Sequence, residues 1–122
     1  MLDDDLLAFI QGSIPSVWAL ELLLLLRREP ERSWATEELA RELRATERLV
    51  SDQAAALQTA GLVACSDRCG YAPAAPRLDE LCARLETVYR QRPGQVIRAI
   101  MARPNEKLQI FADAFRLRGD GK

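Results

Sequence analysis

The amino-acid sequence predicts a mainly α domain carrying one short β-hairpin, and three observations predict it. Apolar residues recur at helical spacing through most of the chain, from Leu6, Leu7 and Ile10 to Leu81, Leu85 and Val88. Capping residues and prolines punctuate that pattern at intervals of a helix length. One stretch alone, from Leu62 to Ala72, reads as two extended runs about a turn. With 122 residues, 48% of them hydrophobic, the chain suits one domain with a real core. A 29% charged fraction with only six Gly and six Pro argues against a disordered or collagen-like chain.

In order along the chain, residues 3–11 predict a short helix with Asp3 as its cap and Gly12 as its stop. Pro15 stands near the start of the next helix. From Val17 to Leu26 the chain is apolar on nearly every face, Glu21 excepted, which predicts a central helix enclosed by others. Arg27 and Arg28 suit the dipole at its end, and Pro30 lies just beyond. Ser33-Trp34-Ala35 reads as a single extended step, and Trp18 and Trp34 are expected in the core. Thr36 is the expected cap of a helix with Glu37 and Glu38 in its first turn and Leu39, Ala40 and Leu43 facing inward. Thr46 caps another, over residues 46–60, with Leu49, Val50, Ala54 and Leu57 on one side. Gly61 is its left-handed terminator and Leu62 the apolar contact after it. Residues 62–66 then form a strand, 67–70 a turn and Tyr71-Ala72 the return, closed by Pro73 and Pro76. Three helices follow: residues 78–92, a second holding Val96, Ile97, Ile100 and Met101, and a third capped by Asn105 with Leu108, Phe111, Ala112 and Phe115 on one face.

Composition narrows the function. Without histidine there is no imidazole base, no His-ligated zinc and no Ser-His-Asp triad. There is no glycine-rich phosphate loop and no nucleophile elbow, so neither an enzyme nor a cofactor or metal is expected. The carboxylates of Asp3-Asp4-Asp5 and Asp79-Glu80 read as first-turn helix charges. A net charge of −1, from 17 basic and 18 acidic residues, excludes a generic polyanion-coating protein. The acidic start is the opposite of a signal peptide, and the longest apolar run is about half of the roughly 20 residues a membrane span requires. The expected location is therefore cytoplasmic, with no membrane partner.

The spacing over the middle of the chain is specific: Thr36-x-x-Leu39-Ala40-x-x-Leu43, then Thr46-x-x-x-Val50-Ser51, then Leu57-x-x-x-Gly61-Leu62-Val63. Over about residues 17–73 it resembles the bacterial winged helix-turn-helix transcriptional regulators, especially the MarR-like group. The resemblance implies an N-terminal helix (residues 1–15), a winged helix-turn-helix with the hairpin as its wing (16–75) and a C-terminal helical extension (76–122), together one compact domain. It implies a DNA-binding regulator whose partner is double-stranded DNA, with the helix over 46–60 in the major groove. It also implies a homodimer made through the N-terminal helix and residues 78–117. Carried over by position, Arg48 is the base reader and Ser51 a phosphate or base contact. Glu47 and Asp52 share that outward surface, Arg44 stands in the preceding turn, and Arg68 at the hairpin tip reaches the minor groove or the phosphates.

The charges complicate this reading, and imply either weak, dimer-dependent DNA binding or a winged helix turned to protein contacts. Residues 1–62 carry six Arg against 11 acidic residues, while residues 63–122 carry 11 basic against seven acidic. Glu47 and Asp52 flank Arg48, and carboxylates at such a surface oppose phosphate binding. The alternative is a non-enzymatic adaptor whose winged helix binds another protein of the transcription or signalling machinery. Cys65 and Cys69 flank the hairpin turn, where oxidation would make a thiol switch, with Arg68 favouring a thiolate. The preferred reading is nonetheless three reduced thiols, with Cys82 packed in a helix core. The run Pro104 to Arg116 sets Phe111 and Phe115 among polar residues, as core or as a docking face.

Overall fold

A computed structural model describes residues 2–102 of the chain. The Asp3 carboxylate accepts the Leu6 amide at 2.8 Å and starts α1 (Asp4–Ser13). Gly12 does not stop it. The Ile14 amide still bonds the Ile10 carbonyl at 2.9 Å, because burying the Ile14 side chain completely keeps the last turn wound. Ser16 then caps α2 (Val17–Arg28): its hydroxyl accepts the Ala19 amide at 3.0 Å and donates to Gln53 Oε1 at 2.7 Å. Ala19, Leu20, Leu22, Leu23, Leu25 and Leu26 are all buried, as the unbroken apolar run predicts. Trp18 is a correction: it is 42% exposed, at the edge of a patch with Leu43, Ala45 and Leu49, while Trp34 is buried as expected.

After β1 (Trp34–Ala35) comes α3 (Thr36–Leu43), whose cap differs from the expected one. Thr36 is already helical, and Glu38 reaches back so that its carboxylate accepts the Ala35 amide at 2.8 Å. The helix ends at Arg44, which sits in the left-handed region at φ 57°. Thr46 caps α4 (Glu47–Thr59) by accepting the Leu49 amide at 3.1 Å. Gly61, at φ 80°, terminates α4 in a Schellman motif, with its amide on the Gln58 carbonyl at 2.9 Å and the Leu62 amide on the Leu57 carbonyl at 3.0 Å.

Fully buried Leu62 leads into β2 (Val63–Cys65), which pairs antiparallel with β3 (Arg68–Tyr71). The expected four-residue turn shrinks to Ser66 and Asp67. Trp34–Ala35 is more than an extended step: it pairs with the other edge of β3, Trp34 opposite Cys69 and Ala35 opposite Arg68, giving the order β1-β3-β2. Burial of the Trp34 ring brings that short segment against the sheet. The Cys65 amide donates to Gln58 Oε1 at 2.6 Å and ties the hairpin to α4.

Pro76 opens α5 (Pro76–Gln91) and Pro93 opens α6 (Pro93–Met101). Both helices pack against α1, and each against the other, so Leu81, Leu85, Val88, Val96 and Ile100 are buried within one chain. Met101, at the end of α6, is 76% exposed. The third C-terminal helix expected after Asn105 lies outside the described residues. The architecture is mainly helical with a small three-stranded antiparallel sheet.

Gly61→Ala tests the junction that aims the hairpin. A Cβ there would meet Ala74 Cβ at 3.4 Å and Leu78 Cδ1 at 3.5 Å, which are ordinary contacts, so the left-handed backbone sets the penalty. Denaturant unfolding is expected to show a loss of about 1–2 kcal/mol.

Candidate nucleic-acid interface

Helix α4 buries one face and leaves the other open. Val50, Ala54 and Leu57 are in the core, which turns Glu47, Arg48, Ser51, Asp52, Ala55 and Thr59 outward to solvent. This is the division that helical geometry predicts, and it brings Arg48, Ser51, Glu47 and Asp52 together on one exposed surface. Arg44 lies at the turn just before α4, and its backbone conformation is unusual. Among the described residues it is the only non-glycine at positive φ. An L-residue there costs about 1–2 kcal/mol, which glycine avoids.

The 12 described arginines divide evenly into those with an ion pair and those without one, Arg28, Arg92 and Arg98 being among the second group. Arg27, Arg32, Arg68, Arg77, Arg84 and Arg90 each form an ion pair with a carboxylate of the chain. Arg41, Arg44 and Arg48 form none with the described residues, and all three are exposed around the α3–α4 turn. Arg41 shares this exposed turn with Arg44 and Arg48, and the sequence reading did not single it out. Its signal was available, since it stands in the last turn of α3, three residues before Arg44.

Arg68 is a correction. It is not at the hairpin tip but opens the middle strand, and its guanidinium is occupied. Nη2 donates to Glu38 Oε1 at 2.9 Å and to the Ser33 carbonyl at 3.0 Å, while Nε donates to Ser33 Oγ at 3.1 Å. The shorter turn causes this: it pulls residue 68 into the sheet beside β1, within reach of the start of α3. The exposed tip is left with Ser66 and Asp67. Glu38 thus receives the Ala35 amide and the guanidinium of Arg68. These hold its carboxyl below the ordinary value, the backbone hydrogen bond contributing most. Asp3 is lowered in the same way by the Leu6 amide and then by Arg84.

The hairpin carries a second correction. Cys65 and Cys69, directly opposite each other in the β2–β3 register, are joined as a disulfide with Cα atoms 4.1 Å apart, in place of the expected free thiols. A two-residue turn sets them face to face, which the longer expected turn would not. Cys82 is free and buried, as expected, and burial pushes its thiol up to about 11. Its neighbour Tyr71 donates to Asp79 Oδ1 at 2.6 Å and is also shifted upward, chiefly by burial.

Among the described residues no group of three or more His, Cys, Asp or Glu is arranged to hold a metal ion. No single described helix is long and apolar enough to cross a membrane. The α1–α2 pair reaches that apolarity together, but the two meet at 104°. Compared with known proteins, the chain matches no family model, no curated protein and no solved structure.

Two outcomes follow from these contacts. Alkylation under denaturing conditions is expected to modify only Cys82 before reduction and all three cysteines after it, read by mass spectrometry; three modified cysteines without reductant would exclude the disulfide. Glu38 and Asp3, with folded pKa values below their unfolded ones, contribute stability that is complete above the ordinary carboxylate range and lost as pH falls through the folded values. Glu38→Gln should therefore lower the thermal midpoint at neutral pH and flatten its decline into acid.

Proposed function

We propose that the chain is a winged helix-turn-helix DNA-binding protein that lays α4 in the major groove, α3 bracing it across the backbone. The observation that carries this reading is the clustering around the α3–α4 turn of three exposed guanidinium groups, Arg41, Arg44 and Arg48, which are half of the six described arginines that form no ion pair with the described residues. Arg44 adds to it, since a conformationally costly arginine makes no internal ion pair that would explain its place. In this reading Arg41 and Arg44 neutralise phosphates, Arg48 reads a base edge and Ser51 contacts a base or phosphate. Arg68 holds the hairpin and does not touch DNA. A protein using one such helix per copy reads paired half-sites as a dimer, with recognition helices about 34 Å apart.

The adaptor reading has an observation of its own. Trp18 is exposed beside Leu43, Ala45 and Leu49, and Glu47, Asp52 and Asp67 put carboxylates on α4 and the hairpin tip. An exposed aromatic among apolar neighbours and charges of both signs suits a protein surface.

Selection of purified protein on fragmented genomic DNA at two salt concentrations separates the two. Enrichment of a few palindromic sites, weakening as salt rises, supports the regulator; folded protein that enriches nothing at low salt favours the adaptor. On an enriched site, Arg48→Ala is expected to cost about 1–3 kcal/mol, roughly fivefold to 150-fold, and to relax one base position. Arg44→Gly should weaken all sites alike while raising stability by up to about 1 kcal/mol. Arg68→Ala should destabilise the fold with little change in the affinity of the folded protein.

A further inference from the structure

The Cys65–Cys69 disulfide sits where the hairpin meets the corner between β1 and α3. β1 pairs with β3 at two positions, Trp34 opposite Cys69 and Ala35 opposite Arg68. One of those partners is half of the disulfide, and the other lies inside the loop that the disulfide closes. Trp34 is buried at the same point. Its indole N–H has no hydrogen-bond partner among the described residues, so packing holds the ring, with Arg32 across its face at 3.5 Å. Arg68 completes the seam by giving its guanidinium to Glu38 and Ser33. The turn itself does little to fix this arrangement. The favoured two- and three-residue hairpin loops each require a residue at positive φ. Among the described residues only Arg44 and Gly61 adopt it, so Ser66, Asp67 and Arg68 supply none. The ion pair is weak as well, because the Arg68 and Glu38 side chains are 49% and 34% exposed and water screens them. The covalent bond is the strong member of the set. It is also reachable: Cys69 is buried, whereas Cys65 is partly exposed beside the open tip of Ser66 and Asp67.

We propose that this disulfide is a redox latch: a dithiol reductant opens it, loosens β1 from β3 and frees the Arg68 guanidinium. A thiolate of the reductant attacks Cys65 Sγ, the exposed sulfur, and Cys69 leaves as a thiolate that takes a proton from water. The second thiolate of the reductant then attacks its own sulfur in the mixed disulfide. Cys65 leaves and is protonated, and the reductant ends as a disulfide. Two electrons pass to the hairpin, and the two protons that the dithiol gives up to water balance those the cysteines take. As thiols the two sulfurs no longer share a bond and must move apart, which spreads the strands at Cys69, opposite Trp34. With the disulfide closed, Arg68 is engaged within the chain. With it open, the guanidinium is released on a hairpin that the Cys65 amide and Gln58 keep beside α4. Its use as a further phosphate contact rests on the DNA-binding reading above.

The test is hydrogen exchange on the full-length chain before and after treatment with dithiothreitol, read by mass spectrometry. Cys82, the chain's third and last cysteine, is free, so the reductant has no other bond to open. Reduction should speed exchange over residues 33–36 by about tenfold or more while leaving α5 and α6 unchanged. On a DNA site enriched as above, it should also steepen the fall of log affinity with log salt by about 0.9, the increment of one phosphate contact. Arg68→Ala should cancel that increment. Unchanged exchange over residues 33–36 would overturn the latch. Exchange that quickens throughout the chain would overturn it too, because the disulfide would then be a staple of the whole fold. An unchanged salt slope on bound DNA would overturn the release of Arg68. Faster exchange in β1 with no DNA bound in either state would support the latch and count against the DNA-binding reading alone.

Discussion

The burial of α2 is the constraint on which the rest of the structure depends. Leu20, Leu22, Leu23 and Leu26 are fully buried, and each such leucine contributes about 1.5–3 kcal/mol relative to an exposed one. A helix with so little solvent-facing surface requires cover from several directions, and the chain supplies it with α3, α4 and β3. Its few polar groups are answered by α5: Arg27 donates to Glu86 at 2.7 Å, and Tyr89 donates to Glu21 at 3.2 Å. Because α4 is one of these covering layers, it commits Val50, Ala54 and Leu57 to the interior. What α4 can offer a partner is whatever remains on the opposite face.

That dependence explains which features were legible in the sequence. Apolar spacing is a local signal with a global cause, and it located all six described helices and correctly sorted the two faces of α4. Gly61 was legible for a similar reason, since few residues other than glycine tolerate the left-handed turn of a Schellman motif. Features set by contacts between distant segments were not. Nothing local to Trp34-Ala35 shows that β3 pairs with it. Likewise nothing local to Gly12 shows that Ile14, two residues on, is held in the core. Trp18 was placed inside by its chemistry alone, although the wholly apolar run around it supplies enough leucine to fill the core without it.

The hairpin shows how two residues of turn length change a functional assignment. With a long turn, Arg68 projects from a tip and its charge is available to a partner. With Ser66 and Asp67 as the turn, the same arginine enters the middle strand opposite Ala35 and finds Glu38, which is already turned toward the Ala35 amide. The capping carboxylate of α3 thereby fastens the hairpin to the start of the two-helix unit. The register that consumes Arg68 also sets Cys65 against Cys69. Both differences from the sequence reading therefore have one origin, and neither could be corrected without the other.

Arg44 and Gly61 are the two described positions with positive φ, and they end successive helices. At Gly61 the residue type matches the backbone, and the reward is internal: two hydrogen bonds close the motif and Leu62 enters the core. At Arg44 the backbone again bonds locally, with the Ala45 amide on the Ala40 carbonyl at 2.9 Å, and glycine would support that bond equally well. The arginine side chain adds a conformational cost and forms no ion pair with the described residues. Backbone strain of this kind clusters at functional sites, which is why Arg44 enters the proposed interface. Arg41 and Arg48 stand on either side of it, unpaired on the same open turn. The three together put positive charge on a turn where Glu47 and Asp52 are also exposed and form no ion pair with the described residues.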